Sequence, residues 1–371
     1  MSDGHGMTGR IPADMLSLAD YAGAAGERLS PAVRAWLENG SGGEQALRAN
    51  ATAFDAYHIA NRLLVDCRHG STATMVLGHR LAHPVLLAPI GFQQLVHPQG
   101  EVAMAAGALD TVMIASSMAS TPLEEIGAAA AGPFWFQLYL QPERRQTSAL
   151  LRRAEAAGAT AIMVTLDVPV KPLSLAAQKA GFRLPEAVEA VNLRGFLPDA
   201  PVTVPPGESM ILRGMMRYAP LPDDLRWLRQ QTSLPIIAKG VTHRDDATQL
   251  LALGMDALAV SNHGGRALEC APPALHMLPG IRAAVGPDVP LLLDGGIRCG
   301  ADVLKALALG ANAVMIGRPA MHGLAVAGSL GVAHLLQLLR DDLALVMALA
   351  GAPAIGDIGP HMLLPAGAIP C

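Results

Sequence analysis

Short apolar runs rich in Val, Ile and Leu recur along the chain and close on Gly, Pro, Ser or Asp, the pattern of strands buried on both faces. Eight such runs occur: PVLLAPIG from Pro84, TVMIASS from Thr111, FWFQLYL from Phe134, AIMVTLDV from Ala161, PIIAKG from Pro235, ALAVSNH from Ala257, PLLLDGG from Pro290 and AVMIGRP from Ala313. Segments with helical periodicity separate them. In TPLEEIGAAA, Thr121 is placed to cap, Pro122 to fill the first turn and Glu124 to complete a capping box. QTSALLRRAEAAG, THRDDATQLLALG and CGADVLKALALG follow the same period, the last two closing on Gly254 and Gly310.

Eight strand-helix units in parallel succession predict an α/β fold of the closed (β/α)8 TIM-barrel type over residues 83–351. A doubly wound open sheet would show fewer strands and an early glycine-rich dinucleotide loop, and no GxGxxG follows the first strand. Spacing is even except between strands four and five. There, residues 171–222 carry FLPDAPVTVPPGESMILRGMMRYAP, too rich in Pro and Gly for a core helix and too long for an ordinary loop. The expectation is a lid insertion over the barrel mouth. Residues 14–60 read as helices preceding the barrel, and GVAHLLQLLRDDLALVMALAG as a long amphipathic helix after it, all within a single domain spanning 1–371.

Composition narrows the function. About half of the 371 residues are apolar and 16% are charged, ample for a large core. The net charge of −4 comes from scattered residues, with no basic run to neutralise successive phosphates, so nucleic acid is not expected as a partner. Met1 to Pro12 has no apolar core like a signal peptide's, and no apolar run reaches the roughly 18 residues of a membrane span. A soluble, cytoplasmic protein without a membrane partner is expected. Cys67, Cys270, Cys299 and Cys371 form no CxxC pair, which reads as free thiols and no metal site.

In a barrel of this kind the chemistry gathers at the C-terminal strand ends. Those ends carry Gln137, Tyr139, Thr165, Asp167, Lys239, Ser261, Asn262, His263, Asp294 and Arg318. DGGIRCG and IGRP present Gly295, Gly296, Gly317, Arg298 and Arg318 on the two loops where barrels usually hold a phosphate; glycine turns with surface arginines are the plain alternative. Lys239 ends an otherwise apolar strand and must meet negative charge, either on a cofactor ring or on a barrel carboxylate. In SNHGGR, His263 stands three residues before Arg266 on a bare backbone. With Asp167 to orient it, the imidazole suits a general base near neutral pH, and the guanidinium suits a substrate carboxylate.

APIGFQQLVHPQGE, ASSMASTPLEE, FWFQLY, VTLDVP, PIIAKGV, SNHGGRALE, LLLDGGIRCGADVLKALALGANAVMIGRP and LLRDDLALVMALAG together resemble the FMN-dependent 2-hydroxy acid oxidases and dehydrogenases, the family of glycolate oxidase, lactate oxidase, mandelate dehydrogenase and hydroxymandelate oxidase. The likeness runs in order from about Leu29 to Gly351. It implies that Pro89, Ile90 and Gly91 lie beside the flavin ring of FMN, and that Ser116, Gln137 and Thr165 bond its polar edge. Lys239 would stabilise the reduced ring, Ser261 would lie beside it, and Asp294, Gly295, Gly296, Arg298, Gly317 and Arg318 would hold ribityl and phosphate. His263 would be the base, Asp167 its partner, Arg266 the carboxylate anchor and Tyr139 a hydrogen-bond partner to the substrate. The resemblance also implies a homo-oligomer, commonly a tetramer, reoxidised by oxygen or a soluble electron acceptor.

Two positions depart from the family. Trp36 stands where most relatives carry a substrate-binding tyrosine, and indole has only an N–H to donate. Ser174 takes the place of an active-site arginine, with Lys171 nearby but offset. Arg266 is then the one assured carboxylate anchor. Affinity for a small acid such as glycolate should fall by about tenfold to a hundredfold. A larger substrate is expected, an aryl or elaborated 2-hydroxy acid held partly by Trp36 and by Met210, Met215 and Met216 of the insertion. The alternatives are a substrate with a masked carboxylate, or an FMN-binding barrel with impaired catalysis.

Overall fold

The computed structural model describes residues 10–196 and 203–367. Each of the eight apolar runs forms a strand: β1 (Val85–Leu87), β2 (Met113–Ser116), β3 (Phe134–Leu138), β4 (Ile162–Thr165), β5 (Ile236–Val241), β6 (Ala257–Val260), β7 (Leu291–Asp294) and β8 (Ala313–Ile316). They pair in parallel in chain order and β8 returns to β1, closing the barrel. The expected architecture is therefore the observed one. Alternate residues serve two cores, as the two-residue period of a strand requires. Leu86, Ile114, Trp135, Met163, Ile237, Leu292 and Met315 pack together inside the barrel, with Ala161, Ala257, Ala259 and Ala313 leaving room for the fully buried indole of Trp135. Their neighbours Val85, Leu87, Met113, Phe134, Phe136 and Ile162 face the helical layer.

An antiparallel hairpin, Thr74–Val76 with His79–Leu81, turns at Leu77 and Gly78, both at positive φ as a two-residue hairpin turn demands. Its Val76 and Leu81 join the inner core and stopper the end where the strands begin. The opposite end stays open. Three helices precede the barrel, α1 (Leu18–Arg28), α2 (Pro31–Glu38) and α3 (Gln45–Thr52); α2 and α3 reach the open end, through Trp36 and Leu37 in the cavity wall and Asn50 bonded to Asn262. Ser17 and Ser30 cap the first two with their hydroxyls. Residues 57–59, read from sequence as the end of this helical region, form a strand that pairs with Leu363–Pro365.

The helix after β8 begins at Arg318, earlier than the amphipathic pattern suggested, and runs to Ala350 with a break in helical dihedrals at Ala327 and Gly328. Thr121 does not cap the helix Leu123–Ala129. Its hydroxyl donates instead to the buried carboxylate of Glu101 at 2.8 Å, Pro122 sits at the cap position, and Glu124 pairs with Arg153. The cap comes from the long insertion, where buried Asn192 accepts from the Leu123 N–H at 3.1 Å and returns a bond to the Thr121 carbonyl. Met210, Met215 and Met216 lie in short helical turns with 42%, 47% and 36% of their surface exposed. None of the three is among the residues lining the cavity at the barrel mouth, where the sequence reading places them against the substrate. Cys67, Cys270 and Cys299 are free thiols; Cys371 and most of the segment Met1 to Pro12 lie outside the described residues.

Candidate active site

One cavity of about 390 Å³ opens at the C-terminal strand ends. Its walls include Trp36, Pro89, Ile90, Gly91, Ser116, Gln137, Tyr139, Thr165, Lys239, His263, Arg266, Asp294, Gly295, Gly296, Arg298, Gly317 and Arg318. Of the strand-end residues singled out from sequence, Asp167, Ser261 and Asn262 stand behind this lining, Asn262 bonded to Asn50 of α3. The first two touch it through a partner: Asp167 through His263, and Ser261 through Lys239.

Strand register sets one wall. Ser116 pairs with Gln137 across β2 and β3, and Thr165 with Lys239 across β4 and β5. The Ser116 hydroxyl donates to Gln137 Oε1 at 2.9 Å, and Gln137 Nε2 donates to Thr165 Oγ1 at 2.9 Å. Lys239 Nζ follows, 2.8 Å from Asp294 Oδ2 and 2.8 Å from Ser261 Oγ, which itself donates to Asp294 Oδ1 at 2.6 Å. Burial pulls this ammonium down, but the carboxylates of Asp294 and Asp167 outweigh it and hold its pKa above the ordinary lysine value. Lys239 is thus paired with a barrel carboxylate, the plainer of the two sequence readings, and it also lines the cavity.

His263 adopts φ +60 at the start of the glycine pair, and its Nδ1 lies 3.0 Å from Asp167 Oδ1. A carboxylate oxygen there accepts, so Nδ1 donates, and in the neutral imidazole Nε2 is the nitrogen that bears the lone pair. Burial pushes the Asp167 carboxyl up, yet the hydrogen bond from His263 and the charge of Lys239 outweigh it and keep it below its usual value. Gly240 makes room for this dyad: at φ +102, a β-carbon there would lie 2.4 Å from Asp167 Cβ. The bareness of SNHGGR answers a different need. Gly265, at φ +78, would place a β-carbon 2.5 Å from the Leu47 nitrogen, so it is α3 that requires the missing side chain.

Arg266 and Arg318 are both held by the end of α2. Arg266 Nη1 donates to the carbonyls of Trp36, Leu37 and Asn39 at 2.8, 3.2 and 2.9 Å, and Arg318 Nε to that of Leu37 at 3.1 Å. These are the carbonyls a helix leaves unpaired at its C-terminus, where cations are also favoured by the dipole. Glu38, hydrogen-bonded to His322, is the acidic neighbour of this arginine cluster. Burial and the like charge of Arg266 bring Arg318 down to about 10. Burial also lifts Tyr139 to about 12, so its hydroxyl stays protonated and able to donate.

The cavity is electropositive. Lys171, Lys239, Arg266, Arg298 and Arg318 line it, whereas Asp294 is the single acidic lining residue among the described residues. Gly317 precedes the helix Arg318–Ala350, whose N-terminal N–H groups add further attraction for a phosphate. The residues present therefore fit FMN: a row of hydrogen-bonding side chains for the ring edge, a buried ammonium, and two arginines at a helix start. Leu37, Phe92, Met118, Val168 and Lys171 also line the cavity. Phe92, Met118 and Val168 lie within the quoted motifs but, being apolar, carried no chemistry to read; Leu37 lies outside every strand-end motif, and Lys171 was read as offset. Ser174 turns out to be a helix cap, accepting from the Ala177 N–H at 3.3 Å, and is not among the cavity's lining residues. Buried Asn50, bonded to Asn262, was also missed; its spacing of four from buried Ala46 on α3 is the signal that marks it.

Residues 25–365 match the family model described as FMN-dependent dehydrogenase. The chain is 47% identical to L-lactate oxidase of Alicycliphilus denitrificans, over 96% of its own length and 98% of the relative's. It is 40% identical to 4-hydroxymandelate oxidase of Amycolatopsis orientalis, over 92% and 96%. Its fold also matches the crystal structure of mandelate oxidase with (S)-2-phenylpropionate, with a TM-score of 0.85 and 38% identity over 94% of this chain and 98% of that one.

Proposed function

The chain belongs to the FMN-dependent dehydrogenase family and is an FMN-dependent 2-hydroxy acid oxidoreductase; from that premise we propose that its substrate carries an aryl or similarly bulky apolar group beside the hydroxy acid. One observation carries this reading. The mouth around Arg266 is walled by Trp36, stacked on Phe182 at 5.7 Å and 23°, with Phe92, Met118 and Val168 also lining the cavity and Ser174 spent on a helix cap. Apolar area there favours a ring over a methyl group by about 25 cal/mol per Å² buried.

Within that frame Arg266 binds the carboxylate through the guanidinium N–H groups that α2 leaves free, and Tyr139 donates to the bound acid. His263 Nε2 takes a proton from it, and Asp167 holds the ring and stabilises the imidazolium. Bound FMN supplies the two-electron acceptor. Pro89 to Gly91, Ser116, Gln137, Thr165, Lys239, Asp294 to Arg298, Gly317 and Arg318 would hold it. We further propose reoxidation by oxygen or a soluble carrier, in the cytoplasm, by a homo-oligomer. The oxidase names of the relatives support the first, and the exposed Leu63, Leu64, Leu345 and Leu349 support self-association.

Anaerobic mixing of the holoprotein with mandelate, lactate and glycolate tests the substrate, read as bleaching of flavin absorbance. Mandelate is expected to bleach it fastest, and Trp36→Tyr to move the preference toward the smaller acids. Faster reduction by lactate, the acid in the name of one relative, would overturn the aryl assignment.

A further inference from the structure

Of the five cations lining the cavity, Arg266, Arg298, Arg318 and Lys171 have no ion-pair partner among the described residues, and Lys171 lies near enough to Arg266 to feel its charge. Lys239, by contrast, is answered by Asp294 at 2.8 Å. The backbone that carries Lys171 is pinned beside α2. The Gly42 N–H donates to the Leu173 carbonyl at 3.1 Å, Ser174 forms a bridge with Gly42, and Phe182 stacks on Trp36. These contacts explain why a residue three positions before the missing arginine ends in the cavity wall.

Like charges at one cavity end repel, and the arrangement becomes favourable when an anion lies between them. Burial, and then the charge of Arg266, lower the Lys171 pKa, consistent with such crowding. We propose that Lys171 is the second anchor of the substrate carboxylate, alongside Arg266, standing in for the guanidinium that Ser174 does not supply. The inference rests on the hydroxy acid reading above. An ammonium is a mobile point charge rather than a planar fork. Lys171 therefore adds attraction for the carboxylate while leaving its orientation to Arg266 and Tyr139, so its loss should appear in KM and leave kcat nearly unchanged.

The test compares wild-type holoenzyme with Lys171→Met and Lys171→Arg, using mandelate and its uncharged amide, and measures benzoate dissociation from the perturbed flavin spectrum. Lys171→Met is expected to raise the mandelate KM and the benzoate dissociation constant about tenfold, with kcat within about twofold of wild type. Lys171→Arg should recover most of this, and the amide should bind equally to all three. Equal benzoate constants in wild type and Lys171→Met overturn the proposal, as does an equal loss of affinity for the amide. Benzoate binding decides the matter even if no hydroxy acid bleaches the flavin, an outcome that would count against the substrate reading alone.

Discussion

Asn50 and Asn262 exchange two hydrogen bonds across the barrel mouth, Asn50 Nδ2 to Asn262 Oδ1 at 2.7 Å and Asn262 Nδ2 to Asn50 Oδ1 at 2.9 Å, with both residues buried. Asn262 precedes His263, and Asn50 stands on α3, so the pair ties an N-terminal helix to the loop that carries the base. The same Asn262 amide accepts from the Gly265 N–H at 3.1 Å and donates to the Pro272 carbonyl at 3.0 Å. The loop is held from both sides.

Asn50→Leu leaves the Asn262 amide partly unpaired in a buried place. The expected cost is about 1–3 kcal/mol of stability, visible as a lower urea midpoint at unchanged slope. kcat/KM should fall with it, because His263 loses its support. A variant as stable and as active as the parent would show that the pair is incidental.

Gly240→Ala strikes the dyad from behind. The new methyl group would fall 2.4 Å from Asp167 Cβ at a backbone φ of +102, so Asp167 must shift and the backbone is strained. A displacement near 1 Å can cost about a hundredfold in rate. We expect kcat to drop by about that factor while FMN content stays near one per chain, measured by absorbance after desalting. Wild-type kcat in Gly240→Ala would mean that the carboxylate's position is not critical.

Acid should loosen the fold through His83, which precedes β1 and accepts from the Val85 N–H at 3.3 Å. Burial, then the charge of Arg340, depress its pKa from 6.5 to about 4, with Asp110 opposing weakly. The folded state keeps this imidazole neutral where the unfolded chain protonates it, so the unfolded chain binds more protons between those values. Stability should fall as pH drops from about 6.5 towards 4 and level off below. The contribution is on the order of 3 kcal/mol. His83→Asn preserves an acceptor without the titration, so its unfolding free energy should vary less over that window. Identical slopes in both proteins would remove His83 from the account.

The barrel was legible because strands buried on both faces must be continuously apolar, and helices between them must repeat at 3.6 residues; neither signal needs a partner to be read. The chemistry at the strand ends was legible for a related reason. In a closed parallel barrel all eight C-terminal ends meet at one mouth, so Ser116, Gln137, Thr165, Lys239, His263 and Arg318 were bound to converge once eight strands were counted. What sequence could not reveal were groups brought in by segments without strand periodicity. Asn192 replaces Thr121 as a cap, the end of α2 holds Arg266 and Arg318, and Met210, Met215 and Met216 stay on the surface. Lys171 reaches the cavity because Trp36, Gly42 and Ser174 fix the insertion beside α2. Local periodicity determined the barrel and where its chemistry gathers. Only tertiary packing decided which residues close the mouth, because contacts between distant loops are set by shape and hydrogen-bond supply, which leave no repeating mark along the chain.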